Sequence, residues 1–128
     1  MITGLGELAL RVKDLAKMKA FYRDVVGLEI YEEPEPYFVF FKVAEAVDGH
    51  PQIFALFDRE ADVEQAHSSL DHFAFLIDLE TYGAHQQRLT ELGVDVFPKT
   101  FPHFHWRALF FADPEGNTVE FVCHDPSV

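Results

Sequence analysis

Apolar and polar residues alternate at the start of the chain. Between Leu5 and Lys13, Leu8, Leu10 and Val12 take one face while Glu7, Ala9 and Arg11 take the other. That is the period of a strand buried on one side. Asp14 then offers an N-cap, and Leu15, Met18, Phe21, Tyr22 and Val25 recur at helical spacing. Gly27 follows where a helix usually stops. Three more strands are predicted at Leu28–Glu32, Tyr37–Val43 and Gln52–Phe57. They are parted by turns at Glu33-Pro34-Glu35-Pro36 and Asp48-Gly49-His50-Pro51. Arg59 to Ser69 is polar with small residues and no apolar period, and reads as a connector with room for a short helical turn.

The pattern then repeats. A strand is predicted at His72–Ile77, and a helix from about Glu80 to Leu92 carries Tyr82, His85, Leu89 and Leu92 on one side. Strands follow at Val94–Phe97, Trp106–Ala112 and Thr118–Cys123, with a turn at Asp113-Pro114-Glu115-Gly116-Asn117. Ala9 corresponds to Ala74 at a spacing of 65 and Gly27 to Gly93 at 66, so one inserted residue reconciles the halves. The order is strand, helix, three strands, twice. One helix cannot cover both faces of a four-stranded sheet, so two such sheets side by side would enclose an inner concave face.

Composition narrows the function. A chain of 128 residues with 48% hydrophobic and 25% charged residues is one globular domain's worth. Its net charge of −12 argues against nucleic acid and anionic membranes, since no Lys/Arg cluster can neutralise phosphates. One cysteine leaves neither an internal disulfide nor a Cys-rich zinc site. No apolar run reaches membrane-spanning length, and the start lacks a secretory pattern; a cytoplasmic protein is expected. Fourteen Phe residues point to an aromatic core or cavity wall.

Period-2 geometry sorts the polar residues. Leu8, Leu10 and Val12 pack under the first helix, leaving Glu7 on the inner face. Phe73, Phe75 and Ile77 pack outward and leave His72 inside; Val119, Phe121 and Cys123 leave Thr118, Glu120 and Val122 inside. One imidazole and two carboxylates can neutralise a divalent ion, and a hard, oxygen-rich set suits an octahedral metal with open positions. Each residue also has a plain reading. Glu7 is a solvated strand start, His72 a hydrogen-bonded strand histidine, and Glu120 the partner of Arg107, Arg11 or Lys42. Glu120 weighs most, because a lone carboxylate in Val119-Glu120-Phe121-Val122 would cost several kcal/mol to desolvate. His103 and His105, two apart before a strand, are candidate acid/base groups. Cys123 falls on the helix-packed face and reads as inert core. The inner apolar wall is expected from Phe38 or Val39, Phe54, Leu56, Leu109 and Phe111.

Three stretches carry a resemblance: Leu10-Arg11-Val12-Lys13-Asp14-Leu15, Phe21-Tyr22-Arg23-Asp24-Val25-Val26-Gly27-Leu28 and Asp113-Pro114-Glu115-Gly116-Asn117-Thr118-Val119-Glu120. In this order and spacing the chain resembles the vicinal oxygen chelate superfamily, which groups glyoxalases, bleomycin resistance proteins and extradiol dioxygenases. The resemblance runs from about Gly4 to Asp125 and implies paired βαβββ modules around a metal-holding cup. Carried across by position, the family's metal ligands fall on Glu7, His72 and Glu120; the first is usually His, so Glu7 is a departure. Glyoxalase I carries a further carboxylate where this chain offers only Gln52. Fosfomycin-resistance proteins carry Thr where it has Ala9. The extradiol pattern is matched at His103, Asp113-Pro114-Glu115-Gly116 and Glu120, while Phe110 stands at its Tyr.

The expected fold is therefore α+β: two βαβββ modules pairing into a cup-shaped, mostly antiparallel mixed sheet with helices outside. Residues 1–128 form a single domain, with module one at about 4–58, a connector at about 59–70 and module two at about 71–125. The expected function is that of a metal-dependent enzyme on a small oxygen-bearing substrate, with lyase, isomerase or dioxygenase chemistry. Its cofactor would be a divalent ion, Fe(II), Mn(II), Ni(II) or Zn(II). The competing reading is a metal-free protein that sequesters an apolar ligand. A homodimer is expected from the apolar surface that so many Phe residues leave.

Overall fold

The computed structural model describes residues 1–34, 36–58 and 69–128. The chain divides into two compact units, Met1–Glu64 and Gln65–Val128. Each is a βαβββ module, as the repeat predicts, and the chain is α+β. Most of the expected connector, residues 59–68, lies outside the described residues.

In the first unit β1 (Glu7–Val12), α1 (Leu15–Ala20), β2 (Glu29–Glu32), β3 (Phe38–Val47) and β4 (His50–Asp58) make a sheet of order β1-β4-β3-β2. Only the β1/β4 pair is parallel. Asp14 caps α1, its carboxylate accepting from the Lys17 N–H at 3.0 Å. The helix continues as a π-helical stretch, Phe21–Val26, before Gly27 ends it at φ 90°. Met18, Tyr22 and Val26 are buried at intervals of four, which suits the wider π turn. The face therefore runs to Val26, where the helical spacing had placed Val25. Tyr22 stacks 4.6 Å from Phe54 and 6.4 Å from Phe41, forming the core under the helix. The β3–β4 turn is tighter than predicted. Asp48 and Gly49 both take positive φ, 53° and 85°, the type I′ conformation that matches strand twist, so β4 starts at His50.

In the second unit β5 (His72–Leu76), α2 (Tyr82–Glu91), β6 (Phe97–Phe101), β7 (Trp106–Ala112) and β8 (Thr118–His124) repeat the topology as β5-β8-β7-β6. A short 3-10 turn, Leu79–Thr81, leads into α2, and Gly93 follows it at φ 80°. Tyr82 and Leu89 are buried and the Tyr82 hydroxyl donates to the Ala108 carbonyl at 2.9 Å, whereas Leu92 is exposed. The strand expected at Val94–Phe97 instead begins at Phe97 and runs through Pro98 to Phe101. Proline reads as a strand breaker, but β6 is an edge strand, where a missing N–H is tolerated.

Two corrections concern faces. Phe54 and Leu56 are cross-strand neighbours of Leu8 and Leu10, so they lie on the helix side with Tyr22. Leu109 and Phe111 oppose Phe121 and Val119, and Phe121 packs 5.0 Å from the His85 ring of α2. None of these four lines the helix-free face. β4 and β7, the central strands that carry them, have buried residues on both faces, so alternation could not tell one face from the other.

Candidate functional site

Two of the candidate residues share the helix-free face of the second sheet. β5 and β8 run parallel, with His72 opposite Thr118, Ala74 opposite Glu120 and Leu76 opposite Val122. Phe73 and Phe75 turn to the helix side with Val119 and Phe121. The period-2 assignment of His72 and Glu120 to one face therefore agrees with the structure. His72 Nε2 lies 3.1 Å from Glu120 Oε1, and His72 Nδ1 lies 2.6 Å from Asp71 Oδ2.

The two side chains differ in exposure. Glu120 is 6% exposed, while the His72 side chain is 38% exposed and so open to a ligand. Burial pushes the Glu120 carboxyl up, against the downward pull of His72 and the Lys99 ammonium. The Asp71 hydrogen bond, then the Glu120 charge, raise the His72 imidazolium despite burial. Both groups therefore hold their protons more tightly than in water.

Aromatic residues surround the pair. Phe110 is the cross-strand partner of Glu120, and its ring meets His72 edge-on at 5.8 Å. Phe97 opposes Phe110, Lys99 opposes Ala108 and Phe101 opposes Trp106, which puts all of them on this face. The Lys99 ammonium sits 5.0 Å above the Phe101 ring. Lys99 and Phe97 were not placed on this face by the sequence because Pro98 obscured the strand; the period-2 spacing of Phe97, Lys99 and Phe101 was the signal available.

The other candidates are placed differently. Glu7 opens β1 in the first unit, exposed on the helix-free face, in the row that runs through Ile53 and Lys42 to Glu29. Lys42 there binds Glu29 at 3.2 Å and Glu45 at 3.1 Å, and Arg107 binds Asp125 at 2.8 Å. His103 and His105 lie in the turn between β6 and β7, beyond Trp106. Trp106 stands four residues along β7 from Phe110, about 13 Å at the usual strand rise, so the structure does not bring either histidine to the His72–Glu120 pair. His105 takes φ 58°, with its ring held 2.6 Å from the Val128 carbonyl oxygen. Cys123 is buried on the helix side, as expected, and burial pushes its thiol up.

Among the described residues, no group of three His, Cys, Asp or Glu is placed to hold a metal ion. His72 and Glu120 nonetheless fit two positions of such a site. They pair a nitrogen and a carboxylate oxygen at close range, with the second ring nitrogen anchored by a carboxylate as metal-binding histidines usually are. No helix of the described residues is long and apolar enough to cross a membrane.

Comparison with known proteins agrees with the fold. Residues 4–121 match the model of the Glyoxalase/Bleomycin resistance protein/Dioxygenase superfamily. The metallothiol transferase FosB of Bacillus licheniformis is 30% identical over 132 residues, covering 99% of this chain and 78% of the relative. The crystal structure of lactoylglutathione lyase from Agrobacterium tumefaciens superposes with a TM-score of 0.73 at 28% identity, covering 95% of this chain and 94% of that one. The fosfomycin resistance protein FosX of Listeria monocytogenes, solved with Mn(II) and 1S,2S-dihydroxypropylphosphonic acid, gives 0.68 at 25% identity, covering 94% and 90%.

Proposed function

The chain belongs to the glyoxalase/bleomycin resistance protein/dioxygenase superfamily, and we propose that it is a metal-dependent enzyme acting on a small oxygen-bearing substrate through His72 and Glu120. The observation that carries this reading is the 3.1 Å approach of His72 Nε2 to a buried Glu120 oxygen. An imidazole lone pair and a carboxylate so close repel unless a proton or a cation lies between them. The repeat matches Glu7 of the first unit to His72 of the second. Glu7 stands at the start of β1 as His72 stands at the start of β5.

When bound, a divalent ion supplies Lewis-acid stabilisation of a developing oxygen anion. The chain's own groups would do the rest. Phe110 and Phe101 offer an apolar wall beside the pair, and Phe97 lies exposed on the same face. Lys99 offers a cation on the same face for an anionic substrate end. The molecule bound to FosX, with two hydroxyls and a phosphonate, has that character. Metal identity and reaction type follow from the substrate, and Fe(II), Mn(II), Ni(II) and Zn(II) are the ions to test. The proposed assembly is a homodimer, supported by exposed Leu76, Phe97 and Trp106.

The test is metal analysis of protein purified without a His tag, followed by calorimetric titration with each ion. About one equivalent per chain, lost in Glu120→Gln and His72→Ala, is expected. A wild-type protein that binds none of the four ions overturns the reading. A second reading, a metal-free binder of apolar ligands, is favoured by the absence of a three-ligand group among the described residues. It then stands, on the aromatic face alone.

A further inference from the structure

Asp71 has no place in the fold that would account for its geometry. Its side chain is 93% exposed, yet its carboxylate lies 2.6 Å from His72 Nδ1. We infer that Asp71 is a positioning residue that sets the tautomer of His72, keeping the ring proton on Nδ1 and leaving the Nε2 electron pair facing Glu120. Both ring nitrogens face a carboxylate, which only accepts, but Asp71 at 2.6 Å lies closer than Glu120 at 3.1 Å, so the one proton of the neutral ring goes to Nδ1. A neutral imidazole has one proton, and Nε2 is then bare.

The alternative tautomer would close the site. With the proton on Nε2, the ring would donate to Glu120 Oε1 across 3.1 Å, a good hydrogen-bond length. That bond would occupy the space between the two donor atoms and cancel the electrostatic demand for a cation. Asp71 thus converts a potential His–Glu hydrogen bond into an open nitrogen–oxygen pair. Because Asp71 precedes His72 in the chain and lies outside β5, it orients the ring without using a position on the sheet. The consequence for metal affinity rests on the proposed function; the tautomer itself does not.

The experiment therefore reads the two separately. Long-range proton–nitrogen NMR of the metal-free protein at alkaline pH reports which ring nitrogen of His72 is protonated. Calorimetry with Mn(II) or Zn(II) alone reports affinity. Wild type is expected to show the Nδ1–H form, and Asp71→Ala the Nε2–H form with metal bound 10–100-fold more weakly. Asp71→Asn, whose amide oxygen still accepts from Nδ1–H, should restore the wild-type tautomer and part of the affinity. Either variant should fold, since the side chain is exposed. If Asp71→Ala keeps the Nδ1–H form, or changes tautomer with unchanged metal affinity, the inference is overturned. If the tautomer switches but no variant, wild type included, binds metal, the inference about Asp71 stands and the proposed metal function fails.

Discussion

Replacing Glu120 by Gln separates a structural role for this carboxylate from a binding role. Unit charges on His72 and Glu120 at 3.1 Å attract by about 5 kcal/mol at an effective dielectric of about 20, and by about 1 kcal/mol in bulk water. The His72 side chain is 38% exposed, so screening keeps the attraction near the lower end, about 1–2 kcal/mol. Desolvation of the 6% exposed Glu120 opposes it by a similar amount. Glutamine keeps the volume and removes both effects, so metal-free stability should change by only about 1 kcal/mol in either direction. The binding effect should be far larger. At a metal concentration about 100 times Kd, binding stabilises the wild type by about 2.7 kcal/mol, roughly 10 °C in melting temperature for a chain of this size. A variant binding about 100-fold more weakly would gain only about 0.4 kcal/mol, or roughly 2 °C. Thermal melts with and without Mn(II) or Zn(II) read both quantities. A metal-free loss above about 3 kcal/mol would instead mark Glu120 as half of a structural ion pair. An unchanged metal-induced rise in Glu120→Gln would remove it from the ligand set.

The pH dependence should change sign with metal. His72 and Glu120 both have folded pKa values raised above their unfolded ones; their stabilisation is therefore full below the unfolded values and lost as pH rises through the folded ones. Metal-free protein should lose stability from this pair between about pH 4.5 and above pH 6.5, while the metal-induced gain should grow across the same window; calorimetric scans at several pH values check both. His103→Ala should leave metal affinity within about twofold by titration, because the register sets its turn about 13 Å along the strand from Glu120. Phe54→Ala, which empties the space against Tyr22 and Phe41, should cost about 3–5 kcal/mol in a denaturant melt. Gly27→Ala has open space around it but a φ of 90°, so it should cost about 1 kcal/mol. Light scattering at micromolar concentration should give twice the mass of the chain if the proposed dimer forms.

Local periodicity carried much of the architecture. The alternation of Leu8, Leu10 and Val12, the Asp14 cap, the Gly27 stop and the 65-to-66-residue repeat were enough to predict both βαβββ modules. Each depends on neighbours within a few residues, or on a duplication visible in the letters themselves. The shared face of His72 and Glu120 was legible for the same reason, because period-2 geometry holds in any regular strand.

What only the tertiary structure decided depends on what each strand lies beside. Phe54, Leu56, Leu109 and Phe111 sit in strands buried on two sides, and pairing rather than sequence turned them toward the helices. Pro98 forbids a central strand but not an edge, so the start of β6, and with it Lys99 on the site's face, followed from sheet order. His103 and His105, two apart before a strand, were acid/base candidates by spacing, but they lie in the β6–β7 turn. Asp71 is the chain neighbour of His72. Its role waited on the side-chain geometry, because the tautomer it sets depends on a carboxylate 48–49 residues further along the chain (Glu120), whose distance from the ring only the folded sheet defines.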